Sequence, residues 1–501
     1  MNFSGKKAWI ILLLVLLLLI LLIILCFRCC HCKTTDDGSN THRSWDTTHW
    51  DSTRRQIIIW KNPDASDQAF QTWLNGFKAS IRQKGPIEDS SFCSSCDSSL
   101  LLLSGPGPSI LIQQSTAGGN GGSGTGSGVS GGNGPGYYCA NFDLNLSDKA
   151  QSDTPLAKLP LPQVPPPVPT SGATVLVAVF DTGLWPGGIR YITKGVNTCI
   201  ANQQSTKGWN FVANNSDFWD DHPELHGSKV TRFIMDQVNK YGSGQVSILP
   251  VKVFDSAGKG NLFNILCALA YATNAKVNII QASFGFYTYS DTNWIYARAA
   301  VTLFSKYIEH YINDNGILMV AAAGNDNTDE DASYLKQIGV PNANPRNLDS
   351  NKFYPACFSA YNKNIITVTT VGSSPASVSP LQNHSKRKVD IGVYCDTIIN
   401  GLYAFADPLP LLAPKGSNPT TATGAPAGGP TATGSSFAAP IVTGKICAFY
   451  QNIPKSLWSD KYAIFNFLEN QGTVSTNGKT TIVSINSALI DSVAAGKTMY
   501  K

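Results

Sequence analysis

The 501-residue sequence carries little charge. Asp, Glu, Lys and Arg make up 14% of it, well below the roughly 25% that is usual in soluble domains. The formal net charge is only +5 and no long block of one sign occurs, so the sequence lacks the basic surface that nucleic-acid recognition needs. Hydrophobic residues reach 43%, which excludes a disordered, charge-driven binder. A chain of this length has room for two or three folded units.

The amino terminus contains one long apolar run. Residues Trp9 to Cys26 are all apolar, and a helix of this length crosses the hydrocarbon core of a bilayer. The alternative is a cleaved secretory signal, but its apolar part normally has only about 7–15 residues. We therefore predict an uncleaved anchor and a single-pass membrane protein that contacts the membrane through residues 9–26. Basic residues flank the run on both sides, and Lys6 and Lys7 favour a cytoplasmic amino terminus, which leaves the rest of the chain extracytoplasmic.

Four cysteines, Cys26, Cys29, Cys30 and Cys32, crowd the predicted membrane edge. Juxtamembrane cysteines suit S-palmitoylation, which would place this edge in the cytoplasm and reverse the orientation. Unmodified thiols are the alternative. The other cysteines include the pair Cys93-x-x-Cys96, and because spacing alone does not fix connectivity, their pairing stays open.

Changes in composition divide the chain. A strand-like run at residues 56–60, an amphipathic helical pattern at 66–82 and a second strand-like run at 100–103 predict a small α+β module. Gly/Ser-rich and Pro-rich tracts, which form no core, follow as linkers. The predicted order is an anchor with its cysteine cluster (1–32), a polar spacer (33–54), the small module (55–116), Gly-rich then Pro-rich linkers (117–172) and a large α/β domain (173–495).

Beyond residue 172, apolar strands alternate with helix-like stretches. The strand-like runs lie at residues 175–180, 248–254, 277–283, 316–322 and 364–370. Continuous rather than alternating apolar strands, separated by helices, predict an α/β fold with a mainly parallel sheet covered on both faces. In such sheets, ligand chemistry lies at the carboxyl ends of the strands.

Three short segments at strand ends or helix starts carry reactive side chains. Asp181-Thr182-Gly183 follows the first strand directly, His226 precedes an apolar run suited to a helix, and Ser436 stands at the start of another helix. Each has a structural alternative. A strand-ending Asp is commonly a turn former or cap, a lone His is commonly a core or surface residue, and Ser435 would simply cap its helix.

Together, and in this order, the segments resemble the motifs of the subtilisin-like serine proteases, or subtilases (peptidase family S8). The family's D-T-G motif matches residues 181–183, H-G-T-H-V matches 226–230 and G-T-S-x-A-x-P matches 434–440, and the chain order Asp, His, Ser is that of subtilisin. The resemblance covers roughly residues 172–495. It implies a three-layer subtilisin-like fold and a serine endopeptidase with the triad Asp181, His226 and Ser436.

The resemblance also assigns the residues around the triad. Asn325, which ends an Ala-Ala-Ala-Gly-Asn segment, becomes the side-chain donor to the oxyanion. The implied partner is a polypeptide, which pairs as an added strand in a groove. The implied substrate-binding residues lie on both sides of that groove: Ser283, Phe284, Gly285, Gly258 and Gly260.

Some residues depart from the family pattern. Lys229 replaces the motif's second histidine, Ser435 replaces a threonine, and Phe286 and Tyr287 add bulk after the groove glycine. None of these changes removes a catalytic atom, but they leave an alternative function, a catalytically silent peptide-binding scaffold with a subtilase fold. Because residues 283–285 bring no acidic cluster, we expect an apolar or small side chain before the scissile bond.

The module resembles a subtilase propeptide in having a strand, an amphipathic helix and this position; an unrelated adaptor or substrate-binding module is the alternative. The sequence lacks a calcium loop of the D-x-[DN]-x-[DN]-G type. We expect no cofactor to be required for the chemistry, and a structural calcium ion has no assigned ligands.

Overall fold

A computed structural model describes three stretches of the chain. They are residues 56–146 except 84, 91–92, 94, 107–133 and 142; residues 175–326 except 201–204, 242–244 and 289–293; and residues 344–499 except 372–380, 386, 396–397, 400–401, 407–430, 451–453 and 471–496. The predicted anchor, its cysteine cluster, the spacer 33–54 and most of the linkers lie outside the described residues.

The predicted membrane location is wrong. Among the described residues, no helix is both long enough and apolar enough to cross a bilayer. The longest there, Asp67–Arg82 and His226–Tyr241, have 16 residues each, against about 20 for a transmembrane helix. This finding overturns the single-pass location and, with it, the extracytoplasmic placement. Residues 9–26, on which the prediction rested, lie outside the described residues.

The small module is an antiparallel sheet with one helix. Its strands are hydrogen-bonded in the order β2-β3-β1-β4, and β4 completes the sheet from within the interval predicted as linkers. Helix α1 begins after Ser66, whose hydroxyl accepts the N–H of Ala69. The elements are β1 (Ile57–Lys61), α1 (Asp67–Arg82), β2 (Glu88–Ser90), β3 (Leu100–Ser104) and β4 (Gly136–Ala140), followed by β5 (Asp143–Asn145).

Strand β1 is buried on both faces. Ile57 and Ile59 pack in one cluster with side chains of α1, whereas Ile58 and Trp60 belong to the core of the large domain. The Trp60 ring lies 4.9 Å from that of Tyr307 in the large domain. The module is thus docked by the sheet face that α1 leaves uncovered, which explains why the strand has consecutive apolar residues rather than an alternating pattern.

Two disulfide bonds join the module to the large domain. Cys93 pairs with Cys267 and Cys96 with Cys199, across 174 and 103 residues of sequence. Both cysteines of the Cys-x-x-Cys pair are therefore bonded to the large domain and not to each other. Next to them, the Tyr307 hydroxyl donates to Asp97 Oδ2 at 3.0 Å.

The large domain is built on an eight-stranded sheet with the order β21-β17-β16-β14-β12-β6-β10-β9. Every ladder in it is parallel, which confirms the predicted parallel α/β sheet. Its strands and the shorter strands around it are β6 (Val175–Asp181), β7 (Val196–Asn197), β8 (Ser205–Thr206), β9 (Trp209–Asn210), β10 (Val246–Lys252), β11 (Lys259–Asn261), β12 (Ile279–Ala282), β13 (Phe286–Tyr287), β14 (Leu318–Ala322), β15 (Phe353–Tyr354), β16 (Ile365–Val371), β17 (Ile391–Tyr394), β18 (Ile398–Ile399), β19 (Leu402–Ala406), β20 (Thr431–Thr433) and β21 (Lys497–Met499).

Helices cover both faces of this sheet. Odd-numbered residues of β6, from Val175 to Val179, join one core with side chains of α2 and α5, and even-numbered ones, from Leu176 to Phe180, join the other core with α3 and α4. This three-layer arrangement also confirms the prediction. The helices are α2 (His226–Tyr241), α3 (Leu262–Asn274), α4 (Trp294–Ile308, continued by a π-turn over Glu309–Asn313), α5 (Ser435–Phe449) and α6 (Lys461–Asn470), with 3-10 turns at Pro186–Tyr191, Ala356–Ala360 and Lys455–Leu457.

Candidate active site

The carboxylate of Asp181 stands at the tip of a buried strand. Asp181 is the last residue of β6 and is 1% exposed, and its Oδ1 accepts the N–H of Thr182 at 2.7 Å. The next residue, Gly183, has φ of 123°, a conformation that side chains disfavour. A Cβ there would also lie 2.8 Å from the main-chain nitrogen of Asp220, so the turn that fixes the carboxylate requires glycine.

The imidazole of His226 meets this carboxylate. His226 begins α2 and is 1% exposed, and its Nδ1 lies 2.7 Å from Asp181 Oδ1. The N–H of Gly227 donates to Thr182 Oγ1 at 2.9 Å, and a Cβ on Gly227 would overlap the carbonyl of Gly183. Because Nδ1 faces a carboxylate, it carries the proton, which leaves Nε2 as the basic nitrogen of the neutral ring.

A second buried histidine lies beside the first. His222 is 6% exposed, and its ring centroid is 6.4 Å from that of His226. Burial, followed by the charge of His226, lowers the pKa of His222 below its usual value. His222 is therefore neutral at pH 7 and does not oppose charge formation on His226.

Ser436 lies in the first turn of α5 and is tied to the end of β12. Pro440, inside α5, has no N–H to donate to the carbonyl four residues earlier. That carbonyl, of Ser436, instead accepts the hydroxyl of Ser283 at 2.8 Å. The Ser436 hydroxyl is 3.4 Å from the carbonyl of Ser283. The following residue, Phe437, packs its ring 4.9 Å from that of His226, so α2 packs against α5 next to the turn that carries Ser436.

The side chain of Asn325 is oriented by Ser435. Asn325 Oδ1 accepts the Ser435 N–H at 2.9 Å and its hydroxyl at 3.2 Å, and the Ser435 Oγ accepts the N–H of Gly324 at 3.0 Å. With its oxygen turned to Ser435, the amide presents its N–H₂ group on the opposite side. Ser435 therefore braces Asn325, whereas Ser436 is the serine beside Ser283.

Two of the predicted groove residues are paired with the chain itself. Strand β5 runs antiparallel to β11, with Leu144 opposite Gly260, and the N–H of Leu146 donates to the carbonyl of Gly258 at 3.0 Å. Both leucines are buried in the core of the large domain. The edge that the sequence predicted to bind an extended peptide is thus occupied by residues 143–146.

The other predicted groove residues have different environments. Ser283 contacts Ser436, as described above, and Gly285 lies against the ring of Phe353. Phe284 is fully buried, with its ring 5.4 Å from that of Phe254, so its side chain belongs to the core. In the described part of the chain, no three His, Cys, Asp or Glu side chains are grouped to hold a metal ion, and no calcium ligands are assigned.

Sequence reasoning missed two buried cations beside the site. Lys252 is 3% exposed; its ammonium donates to the carbonyl of Thr182 and pairs with Asp221 at 2.7 Å. Arg346 is 1% exposed and donates to the carbonyl of Asn325 and, at 2.8 Å, to the hydroxyl of Tyr287. A lysine within the otherwise apolar run at residues 248–254 was the available signal for Lys252. Arg346 offered none, because it meets Asn325 only through the tertiary fold.

The sequence matches the model of the subtilase family (Peptidase S8) over residues 172–483, more than half of the chain. The chain therefore belongs to the subtilase family, as its motifs predicted. It is 32% identical over 170 residues to subtilisin-like protease 1 of Plasmodium berghei (strain Anka), covering 33% of this chain and 25% of that protein. It is 27% identical over 218 residues to the cell wall-associated protease of Bacillus subtilis (strain 168), covering 42% and 21%.

The chain thus matches a quarter or less of the length of these curated relatives. Among solved structures, the epidermin leader peptide processing serine protease from Staphylococcus aureus is similar over 89% of this chain and 96% of its own, with 14% identity and a TM-score of 0.46.

Proposed function

We propose that this chain is a serine endopeptidase that hydrolyses polypeptides with Asp181, His226 and Ser436. The observation that carries the proposal is the 2.7 Å hydrogen bond between the buried side chains of Asp181 and His226. His226 lies on helix α2, which packs beside α5, the helix that bears Ser436. Membership of the subtilase family supports the same reaction class.

In this mechanism, Ser436 Oγ attacks the carbonyl carbon of the scissile peptide bond. A serine hydroxyl is a poor nucleophile at neutral pH, so His226 Nε2 accepts its proton during the attack. Asp181 keeps the proton on Nδ1 and stabilises the imidazolium that forms, without taking the proton itself. His226 then returns the proton to the leaving amine, and water repeats the sequence on the acyl-enzyme.

Negative charge that develops on the carbonyl oxygen needs fixed donors. The Asn325 amide supplies one, and the backbone N–H of Ser436, in the first turn of α5, supplies the second with the positive end of the helix dipole. One such preorganised donor contributes about 3–4 kcal/mol to lowering the barrier. Ser435 and Arg346 act as positioning residues, because they hold the side chain and the main chain of Asn325.

Labelling with a fluorophosphonate tests the nucleophile. The full chain is expected to react at a single serine, and Ser436→Ala to abolish labelling because the attacking oxygen is gone. Ser435→Ala keeps the nucleophile and is expected to label more slowly, since Asn325 loses its brace. Mass spectrometry of the labelled peptide separates the two adjacent serines. Labelling that persists in Ser436→Ala would refute the assignment, and peptide binding without labelling or turnover would favour the silent scaffold.

We also propose that the module is propeptide-like and inhibits the same site. The pairing of residues 143–146 with β11 supports this role, because the segment occupies the edge that a substrate strand needs. It does so with two leucines whose side chains are buried in the large domain.

Replacing both leucines is expected to release the inhibition. In Leu144→Ala/Leu146→Ala, the segment loses most of its apolar contact, and a Leu→Ala change in a core typically costs about 2–5 kcal/mol. We expect kcat/KM for an added peptide to rise at least about tenfold, the equivalent of 1.4 kcal/mol. Glu88→Ala, on an exposed position of β2, is the control in the same module. Equal activities of the double variant and the parent would contradict an inhibitory role.

A further inference from the structure

One buried aromatic ring, Phe353, lies between Gly285 and Gly324, two glycines close in sequence to Ser283 and Asn325. A Cβ built on Gly285 would overlap the Phe353 ring, and one built on Gly324 would lie 2.9 Å from it. Gly285 follows the segment that bonds Ser436, and Gly324 precedes Asn325. The ring thus fills the space between the two strand ends that flank the candidate nucleophile and its oxyanion donor.

This ring is held on several sides. Phe353 is 2% exposed and belongs to β15, which pairs with β13 so that Phe353 lies opposite Tyr287. The two rings lie 4.7 Å apart, and the guanidinium of Arg346 stands over the Tyr287 ring at 5.7 Å and bonds its hydroxyl. Because its neighbours are themselves fixed, Phe353 cannot move aside without disturbing a packed cluster.

Strand β5 contacts β13, which pairs with the strand that bears Phe353. Leu144 and Leu146 enter the core beside β11, and side chains alternate along a strand. A peptide in the same register therefore points its following side chain to the side opposite the two leucines. The chain's own residue after Leu146 is a serine, Ser147, which lies outside the described residues.

We infer that Phe353 restricts the residue before the scissile bond to Gly, Ala or Ser. The substrates are extended peptides that carry apolar side chains at the two alternate positions that Leu144 and Leu146 occupy here. This inference rests on the proposed function and adds its substrate class. A side chain larger than a hydroxymethyl group would have to displace a buried ring, which overpacks the site. The sequence prediction of an apolar or small residue is thereby narrowed to a small one.

The test compares peptides that differ only before the scissile bond. The full chain carrying Leu144→Ala/Leu146→Ala, in which residues 143–146 no longer hold the substrate edge, is assayed on a Leu-x-Leu-X series with X as Gly, Ala, Ser, Leu, Phe or Arg, and rates are divided by the number of sites that a fluorophosphonate titrates. We expect the small residues to exceed Leu, Phe and Arg by about 10–200-fold in kcat/KM, the range that fit in a pocket commonly supplies. Cleavage after Phe or Arg at an equal rate would overturn the inference. Absence of titratable sites would instead refute the proposed function.

A variant then assigns the selectivity to the ring. Phe353→Ala is expected to raise kcat/KM for the Leu and Phe peptides at least about tenfold relative to the Ala peptide, because it opens the space between the glycines. Phe353→Leu, which keeps more of the packing, is expected to give a smaller shift in the same direction. Phe304→Ala removes an equally buried ring of the same core and serves as the control. An unchanged profile in Phe353→Leu, or an equal shift in Phe304→Ala, would contradict the role of Phe353.

Discussion

Asp181→Asn is expected to lower kcat about 10⁴-fold, by analogy with the loss that removal of a triad carboxylate causes. In the parent, the carboxylate accepts from Nδ1 of His226 at 2.7 Å and so fixes the proton on that nitrogen. An asparagine amide also offers an N–H₂ group, which favours the tautomer with its proton on Nε2. That tautomer cannot accept the proton of Ser436.

The measurement is a rate on a fixed peptide, with thermal unfolding recorded for both proteins. Asp236→Asn is a suitable control, since Asp236 lies on the same helix as His226 and pairs at the surface with Arg232 at 2.8 Å. We expect this control to retain activity. A rate for Asp181→Asn within tenfold of the parent, in a protein that unfolds at the same temperature, would show that Asp181 does not orient the histidine.

The two disulfide bonds are expected to keep the module attached after the chain between the domains is cut. A recognition sequence for a site-specific protease, inserted between residues 147 and 174, allows the cut to be made at will. Under non-reducing denaturing electrophoresis, the two fragments should migrate together, because Cys93–Cys267 and Cys96–Cys199 cross the cut. Reduction should separate them. Separation without reductant would contradict the observed pairing.

These bonds should also account for a large share of the stability. Closing a loop of about 100 residues is worth about 4.7 kcal/mol in the chain-entropy estimate, and the two bonds span 174 and 103 residues. We therefore expect Cys93→Ser/Cys96→Ser to lower the free energy of unfolding of the uncut chain, measured with a denaturant, by at least about 4 kcal/mol.

The remaining described cysteines provide the control for this experiment. Burial raises the pKa of Cys357 to about 11, and the four buried cysteines Cys139, Cys357, Cys395 and Cys447 form no disulfide bond. Reductant should therefore leave them unchanged, and Cys357→Ala should not alter the electrophoretic pattern. An equal loss of stability on reduction in the parent and in the Cys93/Cys96 variant would show that the two bonds are not its source.

Much of the fold was accessible from local sequence. The run at residues 175–180 predicted β6 to within a residue because a strand buried on both faces must be apolar throughout. The same reasoning anticipated β14 and β16. The module's strand at residues 56–60 was equally clear. Its four consecutive apolar residues also indicated that both of its faces are buried. Composition alone did not show that the large domain covers the second face.

Other features could not be predicted from local sequence because they depend on residues far apart in the chain. Strands β4 and β5 lie in an interval dominated by glycine and proline, and they form only because β1 and β11 offer unpaired edges. The pairing of Cys93 and Cys96 followed from docking of the module, not from their spacing. The membrane location failed for a different reason, since an apolar run near the amino terminus does not by itself show a spanning helix.

The sequence by itself determined the family, the parallel sheet and the three segments that carry Asp181, His226 and Ser436, because each is encoded by adjacent residues at a strand end or helix start. The low fraction of charged residues, which argued against nucleic-acid recognition, gave no information about the position or chemistry of the site. Only the tertiary structure brought Asn325 to Ser435, residues 143–146 onto β11 and Phe353 between two glycines. These contacts join residues up to 118 positions apart in the sequence, and side-chain packing over such separations is set by the whole fold and not by local pattern.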